Sequence, residues 1–319
     1  MADGLELMAR KQIVLAAGIG SRSGDTRRLF GGLQSYFIAE GGYAPRDFHE
    51  ATYGGKYEGG RWTGPAPYDA AAFDMPLATS VAHCTQALLW WAREQPLPVE
   101  WHLIGYSLGG LVLLEAATVL YQRAWDSWGR HLRSLTTLSS PLNGCSLGEF
   151  RWLGDVFGPG AVGPEICALG DDPRHRQRIA ADVERLRAAG VTVTTLVEAD
   201  DAVIQPGDGI VGPVDPSLVV AAASTLDNSF VARYLGHGRI VHEPRVWRRL
   251  LQSIGPQTTG SSDVASRPTG SAGRVLVTPP PAGAAGTAAD PAAAEDSLLE
   301  LQLAELKARL RAEGRLPPE

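Results

Sequence analysis

The chain has 319 residues, 44% hydrophobic and 20% charged, a balance that suits a globular protein with one large α/β domain or two smaller ones. Its net charge of −6, from 29 Lys+Arg against 35 Asp+Glu, leaves no basic excess to grip a phosphate backbone, so nucleic acid is not an expected partner. No apolar run approaches the roughly 18 residues of a membrane-spanning helix, and "LVVAAA" near Leu218 is far too short. The opening "MADGLELMARKQIVL" lacks the basic start, apolar core and cleavage site of a signal peptide. Three irregularly spaced cysteines, Cys84, Cys145 and Cys167, offer no disulfide framework, and Cys84 reads as a small core hydrophobe. A reduced, cytoplasmic setting is the expectation.

From Lys11 to Ile254 short β-rich runs alternate with helical patterns. "QIVLA" reads as a strand, and "TRRLFGGLQSYFIAEGG" spaces Leu29, Leu33, Tyr36 and Phe37 at helical intervals. "DFHEATY" suits a strand, followed by a glycine-rich aromatic loop, "YGGKYEGGRWTGPAPYD". "ATSVAHCTQALLWWARE" is a helix, "VEWHLIGYS" a buried strand and "GGLVLLEAATVLYQRAW" another helix. "SLTTLSSP" and "VTVTTLVEA" are strands separated by the helix "DPRHRQRIAADVERLRAAG", and "EPRVWRRLLQSIG" is the closing helix. This alternation predicts a doubly wound, mostly parallel sheet with helices on both faces.

Beyond Ile254 the composition changes. Residues 255–289 are rich in Pro, Gly, Ser, Thr and Ala and read as a linker without a core of its own. Residues 290–314 read as an amphipathic helix: Asp290 is a good N-cap, Pro291 suits the first position and Gly314 closes it. Leu299, Leu303, Leu306 and Leu310 form a seam fit for docking a partner or a second copy; a marginal tail helix is the equal alternative.

The stretch "IVLAAGIGSRSG" opens two readings, because a strand running into Gly18, Gly20 and Gly24 suits either a dinucleotide turn or half of an oxyanion hole. Its glycine spacing is one residue longer than the dinucleotide fingerprint. Glu40, at the distance where an acid should end a second strand, falls at the end of a helical pattern instead.

"HLIGYSLGGLV" contains Gly105-Tyr106-Ser107-Leu108-Gly109, a G-x-S-x-G between a strand and a helix. That is the nucleophile-elbow pattern: the serine sits on a strained turn, flanked two residues away by positions that must be small, with helix N–H groups aimed at a developing oxyanion. In a chain with 37 glycines the motif alone is weak, and its strand-and-helix context carries the reading.

"GYSLGG", together with "AAGIGS", resembles the lipase and esterase branch of the α/β-hydrolase superfamily over about Lys11 to Ile254. That resemblance implies an α/β-hydrolase fold and a Ser-His-Asp triad working through an acyl-enzyme. It also implies two oxyanion donors, the backbone N–H groups of Ile19 and Leu108. Ala17 stands where the branch commonly has His, a departure that spares the donor.

The chain order of this fold is Ser, acid, His, which sets aside His49, His83 and His102, all of which precede Ser107. His131 and His175 come before any plausible acid strand. His237, in the loop of "RYLGHGRIVHEPRVW" ahead of a Pro-led helix, matches the superfamily's ending, with His242 as the alternative. For the acid, "DAVIQP" after "VTVTTLVEA" resembles the segment following the acid strand and points to Asp201. Asp200 stays open, because a slip of one residue reverses the side chain. Asp208 reads as a turn residue.

No cofactor is implied, and His49-Glu50 lacks the second histidine of a zinc protease motif, so no metal is expected. The expected substrate is a small hydrophobic ester. Residues 142–172, with Phe150, Trp152, Leu153 and Phe157, read equally as a small cap or as aromatics packed on the domain, and Tyr53, Tyr57 and Trp62 as a further wall. Rival readings are an acyltransferase or thioesterase with the same triad, a non-catalytic scaffold that recruits a partner through its tail, and a nucleotide-binding oxidoreductase.

Overall fold

A computed structural model describes residues 9–18, 25–51, 53–66, 75–95, 99–124, 128–145, 162–201, 203–222 and 237–257, with residues 25–27 described in backbone only. All of these belong to one compact unit, Met1–Asp263. Ile19, the aromatics at 150, 152, 153 and 157, the linker from residue 258 onward and the expected tail helix lie outside the described residues.

Six strands form one parallel sheet in the order β2-β1-β5-β6-β7-β8: β1 (Arg10–Ala16), β2 (Phe48–Glu50), β5 (Val99–Tyr106), β6 (Leu132–Leu138), β7 (Thr192–Glu198) and β8 (Val219–Val220). The central strands are nearly continuous apolar runs; Ile13 to Ala17, Leu103 and Ile104 are fully buried, as expected where both faces of a parallel sheet are covered. The chain runs from β1 outward to β2, then returns to lay β5 on the other side of β1. The order therefore reverses at β1, and the crevice beyond the carboxyl ends of β1 and β5 is where such sheets place their sites.

The helices follow the sequence patterns closely. α1 (Asp25–Gly41) buries Phe30, Leu33 and Phe37, and α2 (Leu77–Glu94) packs against α3 (Leu108–Arg123). Cys84, on α2, is fully buried, and desolvation pushes its thiol up to about 12. α4 (Val162–Gly170) was not anticipated; it buries Val162 and Ile166 in the main core. α5 (Pro173–Ala188) opens on Asp172, whose carboxylate accepts from the N–H of Arg174 at 2.9 Å. α6 (Pro244–Ile254) starts under a Glu243 cap and buries Val246, Leu250 and Ile254, an i, i+4, i+8 stripe.

The expected glycine-rich loop contains a β-hairpin, β3 (Gly55–Glu58) and β4 (Arg61–Pro65), paired antiparallel. Its turn residues Gly59 and Gly60 both adopt positive φ, 56° and 78°, the conformation a two-residue hairpin turn demands. Within the region read as a cap, the described residues are tied to the domain: Leu142 is fully buried, and the Asn143 side-chain amide donates to the carbonyls of Gly207 and Ile210, both at 2.9 Å. No helix among the described residues is long and apolar enough to cross a membrane.

Candidate active site

The site begins with a packing constraint at the end of β5. Ser107 follows the last strand residue and precedes α3, with φ 52° and ψ −131°. A non-glycine residue there stores roughly 1–3 kcal/mol of strain. Its N–H donates to the Leu138 carbonyl at 2.9 Å, and its carbonyl accepts from Gly110 N–H at 3.0 Å, so both sides of the turn are pinned. The flanking glycines are compelled by space. A Cβ on Gly105 would lie 2.4 Å from Gly110 Cα, and one on Gly109 would lie 2.4 Å from the Ala16 carbonyl oxygen. Leu108 opens α3, where a first-turn N–H has no acceptor within the helix.

Two loops bring the other groups to this hydroxyl. β7 ends at Glu198, and the turn after it buries the Asp201 side chain completely. Asp201 Oδ1 accepts from the N–H groups of Val203 and Ile204, both at 2.9 Å, leaving Oδ2 aimed at the ring of His237, whose Nδ1 donates to it at 2.8 Å. His237 Nε2 lies 2.9 Å from Ser107 Oγ. Gly238, at φ 102°, turns the chain sharply after the histidine into the 3-10 turn Arg239–His242. The Tyr106 ring packs on the imidazole with centroids 4.9 Å apart. Three segments far apart in sequence thus meet in one buried hydrogen-bonded row.

The alternatives go elsewhere. Asp200 is exposed in the turn beside Asp201, and His242 lies on the 3-10 turn, whereas the contacts to Ser107 and Asp201 come from the His237 ring. Asp208 Oδ2 accepts from Gln205 N–H at 3.3 Å within the helical turn Pro206–Gly209. His175 Nε2 donates to the Leu142 carbonyl at 2.9 Å, and Glu40 lies in α1. Among the described residues no cluster of His, Cys, Asp and Glu could hold a metal ion.

The end of β1 lies against the serine. A Cβ on Gly18 would sit 2.7 Å from Ser107 Cβ and 3.1 Å from its Oγ, so only glycine leaves the hydroxyl room. Ile19, the expected donor next in the chain, lies outside the described residues.

Sequence reasoning passed over Glu198. Its side chain is wholly buried, and neither carboxylate oxygen meets a partner in hydrogen-bond geometry. Burial pushes it up to about 7; Arg239 draws it back, Asp201 adds to the rise, and the Ala222 N–H eases the charged form only from beyond hydrogen-bond geometry.

The parallel sheet, its reversal at β1 and the strained serine turn after β5 give the chain an α/β-hydrolase fold. No family model matches the sequence, and no curated protein matches it. Among solved structures, the phospholipase PlaB from Legionella pneumophila is similar at 14% identity and a TM-score of 0.42, over 60% of this chain but only 40% of that one. A cutinase-like protein from a Cryptococcus species shares 12% identity at a TM-score of 0.41, over 78% of this chain and 97% of its own. A lipase-esterase related protein from Clostridium acetobutylicum shares 14% identity at 0.43, over 76% and 94%.

Proposed function

We propose that the protein is a serine hydrolase that cleaves carboxylic esters through an acyl-enzyme. Ser107 Oγ attacks the ester carbonyl while His237 Nε2 takes its proton, and Asp201 holds the imidazole in the tautomer that leaves Nε2 free to accept. The N–H groups of Leu108 and Ile19 bind the oxyanion. His237 then returns the proton to the departing alcohol, and water releases the acyl group by the same route in reverse. The observation that carries this reading is the continuous row from Asp201 Oδ2 through His237 to Ser107 Oγ, with links of 2.8 and 2.9 Å. A scaffold without catalysis has no use for a strained serine at the end of that row. The substrate class in this proposal is a small hydrophobic ester.

The test is hydrolysis of p-nitrophenyl esters of increasing acyl length. Wild type is expected to turn over the shorter members, and Ser107→Ala to lose at least about 10³-fold in kcat. A Ser107→Ala variant with wild-type turnover would overturn the proposal.

A further inference from the structure

β1 pairs with β5 as far as Ala16 opposite Gly105. Yet the next two residues must be held closely, because they press on the elbow. A Cβ on Gly109 would lie 2.5 Å from the Ala17 carbonyl oxygen, and one on Gly18 would lie 2.7 Å from Ser107 Cβ. The Ala17 carbonyl therefore rests against the first turn of α3 on one side. On another it accepts a hydrogen bond from the hydroxyl of Tyr53, a fully buried residue that lies 36 positions later, between β2 and β3.

Tyr53 is itself anchored. His83, on α2, places Nδ1 2.7 Å from the Tyr53 carbonyl and Nε2 2.9 Å from the Tyr57 hydroxyl. A single neutral tautomer satisfies both: Nδ1–H donates to the carbonyl, and Nε2 accepts from the Tyr57 hydroxyl. A planar trans peptide points its C=O and N–H in opposite directions, so holding the Ala17 carbonyl also fixes the N–H and Cα of Gly18, the residue packed against Ser107.

We propose that Tyr53 is a positioning residue for ester hydrolysis, its hydroxyl setting the plane of the Ala17–Gly18 peptide and hence the placement of Gly18 against Ser107. The inference rests on the hydrolase reading above. Tyr53 acts through a backbone carbonyl. Sequence gave no hint of the role, since a tyrosine in a glycine-rich segment reads as a wall or as core.

The test is Tyr53→Phe in the full chain, which keeps the buried ring and removes only the donor. On a short p-nitrophenyl ester, kcat is expected to fall about tenfold with KM within about twofold, as for an interaction realised in the transition state. The inhibition constant of a trifluoromethyl ketone, which forms a tetrahedral oxyanion on the serine, is expected to weaken in parallel. A merely structural role would lower Tm and leave both quantities unchanged in the folded protein. If Tyr53→Phe does not fold, His83→Ala, which releases the Tyr53 carbonyl from α2, is expected to show the same pattern at roughly a third of the size. Wild-type kcat and inhibitor affinity in the variant, with wild type active, would overturn the role of Tyr53 alone. A wild type that neither turns over esters nor binds the ketone would sink the hydrolase reading and this inference together.

Discussion

Ser107 is held in a conformation that its side chain disfavours, with φ at 52°, and only the packing around it keeps it there. Glycine tolerates that backbone and alanine does not. Ser107→Gly is therefore expected to raise stability by about 1 kcal/mol, and Ser107→Ala to leave it nearly unchanged, although both lack the hydroxyl. Thermal denaturation of the two purified variants decides this. Asp201 permits a sharper contrast, because its Oδ1 is already committed to two N–H groups. In Asp201→Asn the amide oxygen keeps those bonds and the NH2 group faces His237 Nδ1, forcing the proton onto Nε2, where it cannot accept from Ser107. In the proposed mechanism kcat falls by about 10³–10⁴, while exposed Asp200→Asn stays within about twofold. The meeting of Ser107, Asp201 and His237 was readable because Ser107 and Asp201 follow strands, His237 precedes the closing helix and chain order narrows the choice. Tyr53 and Glu198 were not, because their roles depend on neighbours 36 residues away or on a buried end of a strand.

At the scale of elements, three glycines make the elbow possible and a fourth is a built-in control. Gly105→Ala and Gly109→Ala each drive a Cβ to 2.4 Å from backbone that cannot step aside, so each is expected to cost several kcal/mol or prevent folding. Gly18→Ala meets the serine side chain at 2.7 Å and is expected to abolish turnover with a smaller loss of stability. Gly31, within α1, has nothing within 4 Å of its would-be Cβ, and Gly31→Ala is expected to stabilise the protein by about 0.5–1 kcal/mol. Urea titration of the four variants ranks them. The long elements were legible because their apolar periods are clear, β5 as a buried run and α6 as a stripe. The short ones were not. β8 is a two-residue strand recognisable only through its pairing with β7, and the β3–β4 hairpin turns on a Gly-Gly pair that was read as a loop.

For the whole molecule, buried titratable groups set the pH range of stability. Desolvation lowers His49 to about 4 and His102 to about 3; Asp47 partly opposes this at His49, and Lys11 and Arg133 reinforce it at His102. Below the ordinary value of 6.5 the unfolded chain binds protons that the folded chain refuses, so stability falls as pH drops from about 6.5 towards 4. These two rings should take up about two protons on unfolding near pH 5, measurable as the change in the slope of unfolding free energy against pH when both are replaced. Glu198 acts in the opposite sense. Raised from 4.5 to about 7, it keeps its proton in the fold after the unfolded chain has lost it, so its contribution declines as pH rises through that window. Glu198→Gln is expected to remove that decline, with the Tm gap over wild type widening from pH 5 to pH 8.

The central claim, that one hydroxyl in this fold is an activated nucleophile, is tested most directly by reacting the intact protein with a fluorophosphonate and locating the adduct by peptide mass spectrometry. The account predicts a single adduct on Ser107, absent in Ser107→Ala and formed at least about a hundredfold more slowly in His237→Ala. An unreactive wild type, or an adduct on some other residue that persists when Ser107 is replaced, would contradict it.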